Sequence, residues 1–272
     1  MNPVKLIKET VNFFRHIYQN RYLIYELTKR DFKQKYAANI MGLAWAILDP
    51  LAMMMIFWLI FGLGFRTGRN TGIPFVAYLI TGLTAYMFFQ GTLSQATGSI
   101  KLYSFLLKKV NFRVSILPIV KILSELVLHL IVMAIVIIII ILNGVYPTIY
   151  WLQTVYYIFA SSMLLLGLSW FTSSVNLFFP DISNIVGIIL RFFFYLTPIF
   201  WDPSMFPEKY LLILKLNPMY YIVAGYRDSL LHARPFWEQW ELTIYYWVVT
   251  LIALLVGIAV FGKLKPHFAD VA

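Results

Sequence analysis

Long apolar stretches alternate with short polar ones along the chain. Residues 126–180 run for about 55 positions without one Asp, Glu, Lys or Arg. A membrane-crossing helix needs about 20 mostly apolar residues, because hydrocarbon offers the backbone no hydrogen-bond partner and a helix supplies its own. The run is long enough for two crossings. Asn143-Gly144-Val145-Tyr146-Pro147 offers turn chemistry, and its proline forces the preceding residue out of helix. The pattern therefore predicts a helical hairpin inside a membrane. The same reading places six spans, at about 42–65, 74–100, 114–142, 150–179, 182–200 and 242–262. The expected fold class is all-α integral membrane, one transmembrane domain covering residues 1–272.

Three segments between spans have patterns of their own. Residues 22–36 (YLIYELTKRDFKQKY) repeat aromatics at Tyr22, Tyr25, Phe32 and Tyr36, the three-and-four spacing of one helical face. Arg30, Lys33 and their charged neighbours form the other face, where Glu26 with Arg30 and Asp31 with Lys35 are expected to pair at i,i+4. Such a helix lies in the membrane interface, aromatics at headgroup depth and basic groups toward anionic lipid. Residues 105–113 (FLLKKVNFR) form a short amphipathic stretch, read as either a solvated loop or a helix that docks into a partner. Residues 201–241 are too polar to span and too apolar for an ordinary loop. Asp202-Pro203, Phe206-Pro207 and Asn217-Pro218 break them into short apolar pieces at 209–216 and 219–231. These read as re-entrant half-helices near the outer mouth, since broken helix at membrane depth needs burial in protein or a cavity to line.

Composition adds class and orientation. The chain is 61% hydrophobic and 12% charged, about half the usual charged fraction of a soluble domain. With no cysteine, disulfide frameworks, thiolate metal sites and cysteine nucleophiles are excluded. The net charge of +10 reads as basic cytoplasmic loops rather than nucleic-acid binding. Lys5, Lys8, Arg15, Arg21, Lys29, Arg30, Lys33 and Lys35 precede the first span. Lys101, Lys108, Lys109 and Arg113 fill the second-to-third loop, Lys263 and Lys265 lie in the tail, and the third-to-fourth loop has no basic residue. Both termini are thus expected in the cytoplasm of a multi-pass inner-membrane protein, with Arg66 and Arg69 as a minor exception. The first forty residues lack the apolar core of a cleavable signal peptide, so the first span should direct insertion.

Candidate chemistry is sparse. No G-x-x-x-x-G-K-[ST] loop occurs, so nucleotide hydrolysis by that route is excluded. The four histidines show no paired metal-binding spacing, and no catalytic residue, bound cofactor or metal is expected. Glu125 and His129, one turn apart, could relay protons or serve structurally. Asp49, Asp181 and Arg191 are charges at or inside spans. Arg191, nearest mid-span, needs an anionic substrate, water or a partner such as Asp181. The abundant Phe, Tyr and Trp suit interfacial belts or stacking on sugar faces.

These residues resemble a known family. The run RDFKQKYAANIMGLAWAILDPL (residues 30–51), then YLTPIFW (195–201), LNPMYYIVAGYRDSLL (216–231) and the terminal FADVA (268–272), are similar in order and spacing to membrane subunits of ABC transporters that export bacterial surface polysaccharides. FGLGFRTG (61–68) and WEQWELTIYYW (237–247) look most like the wall teichoic acid translocation branch. FFPDIS (178–183) departs from the pattern, with Pro180 where relatives commonly carry Arg. The resemblance implies a homodimer working with two copies of a cytoplasmic ATPase subunit, on which ATP and magnesium bind. It assigns Phe105, Lys108, Lys109, Asn111, Phe112 and Arg113 to a coupling helix, and Tyr22 to Tyr36 to an interface helix. Trp45, Asp49, Arg191, Tyr195, Trp201, Tyr220, Tyr221, Tyr226 and Arg227 become candidates for the substrate path or gate. The implied cargo is a lipid-linked (undecaprenyl-diphosphate) anionic glycopolymer, either wall teichoic acid or, as the alternative, O-antigen or another polysaccharide. A membrane transferase or a secondary transporter would require converging acid/base groups, ionisable relays or internal repeats, and the sequence displays none clearly.

Overall fold

The structure, a computed structural model, describes residues 19–37, 41–64, 73–106 and 113–271. It is helical, with no strand among the described residues. In chain order the helices are α1 (Arg21–Ala37), α2 (Leu43–Phe57, continued by the wider turn Trp58–Gly64), α3 (Phe75–Thr97), α4 (Ser99–Leu102) and α5 (Ile116–Leu142). There follow α6 (Gln153–Phe178), α7 (Ile182–Leu196), α8 (Glu208–Lys215), α9 (Pro218–Arg227, continued by Asp228–His232), α10 (Trp240–Leu264) and α11 (Phe268–Val271).

Five of these, α2, α3, α5, α6 and α10 with their flanking turns, are long and apolar enough to cross a membrane. The sixth expected span is shorter than its apolar stretch. α7 has 15 residues, roughly 22 Å of helix against the about 30 Å of a hydrocarbon core. It stops because Pro198 holds Thr197 extended at ψ 136°. The apolar residues beyond, Ile199 and Phe200, pack back into the core. The expected hairpin between α5 and α6 is present. Gly144 takes φ +85°, and the Val145 N–H reaches back to the Ile140 carbonyl, the closing bond of a glycine-terminated helix.

Polarity decides which helix is central. α3 is the least apolar of the long spans, and it is the most buried, packed against α5, α6, α7 and α9. Thr81 and Thr84 return their hydroxyls to carbonyls four residues earlier, which lets them lie inside without an outside partner, and Thr97 adds a 2.9 Å bond to the Thr172 hydroxyl of α6. The most apolar span, α5, keeps much of its surface outward, as lipid permits. α6 and α10 cross at Gly167 and Gly257, the small-residue contact by which membrane helices bring backbones together.

That crossing leaves no room for a methyl group. A Cβ at Gly257 would stand 2.3 Å from the Gly167 carbonyl oxygen, which is backbone and cannot swing aside. Gly257→Ala should therefore separate α6 from α10 and cost about 1–3 kcal/mol. A lowered thermal midpoint of the detergent-purified protein is the expected readout.

Candidate functional site

Two buried charged clamps and one open face account for most of the candidate residues. At the end of the bundle that carries α1, that helix turns Ile24, Leu27 and Asp31 inward onto α5. Asp31 and Lys121 are 5% and 6% exposed, and the Lys121 ammonium donates to Asp31 Oδ1 at 2.5 Å. The Tyr103 hydroxyl donates to the same oxygen at 2.6 Å, from just before segment 105–113. One turn further along α1, Lys35 pairs with Glu125 at 2.5 Å. This corrects the expected wet-side pair of Asp31 with Lys35, since both reach instead for α5. Tyr22 and Tyr25 are exposed with Arg30 and Lys33, and Phe32 is half-buried. Tyr36 lies in α1, but its side chain is outside the described residues.

Beside this clamp is a pocket of about 240 Å³ lined by Lys35, Asp49, Thr84, Glu125 and His129. Glu125 and His129 share its wall but have separate partners. Glu125 is held by Lys35, and His129 Nε2 lies 2.9 Å from the Tyr226 hydroxyl.

At the other end, Arg227 is 4% exposed and binds three backbone carbonyls. Nε donates to Tyr78 at 3.2 Å, Nη2 to Ile199 at 2.7 Å and Nη1 to Pro198. The guanidinium also lies 3.4 Å from the centroid of the Tyr78 ring. Gly82 admits it, because a Cβ there would stand 2.6 Å from Nη2. Asn217 caps α9 by accepting from the Met219 N–H at 3.0 Å and donates to the Thr197 hydroxyl at 2.8 Å. Tyr221 joins Tyr156 and Thr243, each at 3.0 Å, and the Trp247 indole donates to Tyr156 at 2.9 Å. Tyr220 is buried against a cavity of about 220 Å³ shared with Tyr78, Asp202 and Asp228. Beyond α9, burial pushes the Asp228 carboxyl up to about 6, with Glu238 adding and Arg234 and Arg227 opposing. Tyr221, Tyr226 and Arg227 are thus internal ties of this chain, and Tyr220 is buried beside them.

The remaining candidates lie on the surface. α2 and α7 form one continuous apolar face, sealed by rings: Phe61 on Phe200 at 4.6 Å and Phe57 on Phe194 at 5.6 Å. Trp45, Arg191 and Tyr195 are exposed, Tyr195 at 65%, and Asp49 is exposed where it lines the pocket beside Glu125 and His129. Arg191 bonds only to its own helix in the described contacts, at the Gly187 carbonyl, 3.3 Å away. Asp181 stands ten residues earlier, roughly 15 Å along α7, too far to be its partner. Trp201 sits at the rim, its indole donating to the Tyr195 carbonyl at 3.2 Å. Among the coupling candidates, Phe105 and Arg113 are exposed at the two edges of their segment, while Lys108, Lys109, Asn111 and Phe112 lie outside the described residues.

Sequence reasoning missed Lys121, Tyr103, Tyr78 and the capping role of Asn217. Lys121 did carry a signal: a lysine inside a predicted span demands a buried counter-charge. Among the described residues no three His, Asp or Glu side chains come together as a metal site.

A family model described as ABC-2 type transporter matches residues 22–231. The chain is 28% identical over 251 residues to the O-antigen export system permease protein RfbA of Klebsiella pneumoniae, covering 92% of this chain and 94% of that protein. It is 23% identical over 262 residues to the Myxococcus xanthus protein of the same name, covering 96% and 99%. The polysialic acid transport protein KpsM of Escherichia coli is 24% identical over 245 residues, covering 85% and 89%.

The Asp31–Lys121 pair makes a direct prediction. Asp31→Ala leaves Lys121 buried and unpaired and should cost about 3–5 kcal/mol. The double change Asp31→Leu with Lys121→Met removes both charges and should recover most of that loss. Thermal unfolding of the purified variants distinguishes a buried pair from a solvated one, for which both changes would be near neutral.

Proposed function

The chain belongs to the ABC-2 type transporter family, and we propose that it is the membrane permease subunit of an ATP-driven exporter of lipid-linked bacterial surface polysaccharide. The observation that carries this reading is Arg191 on the exposed α2–α7 face. A guanidinium facing hydrocarbon at mid-span costs about 2.5–3.5 kcal/mol on insertion scales, whereas one facing a polar path does not. In this proposal two copies set their α2–α7 faces toward each other. The polymer passes between them, past Arg191, Asp49 and the rings of Trp45 and Tyr195.

The relatives' cargoes, O-antigen and polysialic acid by name, favour a polysaccharide of that kind over the wall teichoic acid suggested by residues 61–68 and 237–247. The diphosphate lipid anchor remains part of the proposal. ATP and magnesium would bind two cytoplasmic ATPase subunits. Residues 105–113 would dock there, with both termini on the same side, and closure of the motors would shift that segment as a rigid element. Tyr103 donates to Asp31 just before it, so such a shift would reach α1 directly.

The test is transport of labelled lipid-linked polysaccharide by the permease and its ATPase in proteoliposomes. A charge-assisted contact to cargo is worth about 1.5–3 kcal/mol, so Arg191→Glu should slow translocation by about tenfold to a hundredfold while ATP hydrolysis continues. Arg191→Lys should retain most of it. Unchanged transport by Arg191→Glu would remove α7 from the path. In the same system, Lys108→Glu with Lys109→Glu should abolish permease-stimulated ATP hydrolysis without loss of the inserted protein. Offering an O-antigen-type polymer and a polyol-phosphate polymer in competition decides the cargo.

A further inference from the structure

Residues of α1 and α5 outside their ion pairs line an apolar groove of about 750 Å³. Leu123, Leu126 and Leu130 of α5 form its floor, and Tyr25 and Phe32 of α1 form its wall. The floor lies roughly 10–21 Å along α5 from Ile116, a span comparable to one leaflet with its headgroup layer. Arg21, Lys29 and Lys33 line the rim.

Three observations say what fills it. The inward charges of α1, Asp31 and Lys35, are both met by α5. Besides Lys35, its exposed charges are Arg21, Lys29, Arg30 and Lys33 against Glu26, so the rim attracts anions. Lys29 and Lys33 stand one helical turn apart, close enough for one phosphate to bridge them. Thr28 also lines the groove, and its buried hydroxyl has no partner among the described residues. No residue of α2 or α7 takes part, so the groove is separate from the face proposed for cargo.

We propose that this groove binds one acidic diacyl phospholipid from the leaflet on the α1 side. Lys29 and Lys33 hold its phosphate, an acyl chain lies along Leu126 and Leu130, and the Thr28 hydroxyl donates to an ester carbonyl. The ion pairs to α5 hold the groove open before the lipid arrives, so binding does not have to order α1.

Native mass spectrometry of the full-length permease, offered equimolar phosphatidylglycerol and phosphatidylcholine in detergent, tests this. The wild type should retain one phosphatidylglycerol per chain in preference to phosphatidylcholine. Each lysine near an anionic group is worth about a fivefold change in affinity, so Lys29→Gln with Lys33→Gln should weaken retention roughly 25-fold. Lys263→Gln with Lys265→Gln should leave it unchanged. Val127→Trp, which fills the groove without altering charge, should expel the lipid, with size-exclusion behaviour reporting that the variant is folded. Equal retention by the Lys29/Lys33 variant, or no preference in the wild type, overturns the proposal. So does displacement of phosphatidylglycerol by equimolar polyprenyl diphosphate, which would make the groove a cargo site.

Discussion

A charge buried among packed helices must be met inside the chain, and in this bundle those meetings fix how several helices sit against one another. Arg227 is the strongest case. When Pro198 ends α7, it leaves the carbonyls at the break without helical partners inside the packed bundle. Arg227 donates to Pro198 and Ile199, and Gly82 makes the space for its guanidinium. The early end of α7, the half-helix α9 and the glycine in α3 are one solution to one problem. Each alone would leave a polar group orphaned.

α1 follows the same rule with a different consequence. A buried ion pair adds little net stability over well-packed apolar residues, because desolvation consumes most of its attraction. Its effect is positional. Without Asp31 and Lys35 turned inward, α1 would be an amphipathic helix free to lie anywhere on the interface. With them it is fixed against α5, and Tyr103 ties the start of the next loop to the same carboxylate.

How much of this was readable beforehand depends on the range of the interaction. Five of the six spans, the hairpin at residues 143–147 and the break at Asn217-Pro218 follow from local rules of hydropathy and proline geometry and are found at full length. Local rules also set the outward aromatics of α1. They failed where a distant partner outcompeted a near one. Asp31 and Lys35 have ideal i,i+4 spacing, yet each prefers a charge 90 residues away, because a buried partner gains more than a solvated one. The end of α7 was overrun because Ile199 and Phe200 are core residues without being helical. Arg191 and Arg227 look alike as letters in apolar surroundings. Only packing separates a cation on a face from a cation in a clamp.

That separation constrains how the protein can move. Displacing α9 would strip from Arg227 the Tyr78 carbonyl and ring on α3 and the Pro198 and Ile199 carbonyls in the turn after α7, so α9, the start of α3 and that turn must travel together. Between α2 and α7 the junction is Phe57, Phe61, Phe194 and Phe200. Ring contacts of this kind are worth about 0.5–1.5 kcal/mol each and can be exchanged for one another without exposing a donor or acceptor. Conformational freedom therefore belongs to the α2 seam, beside Arg191, while the tyrosines and arginine behind it hold the frame against which α2 can shift.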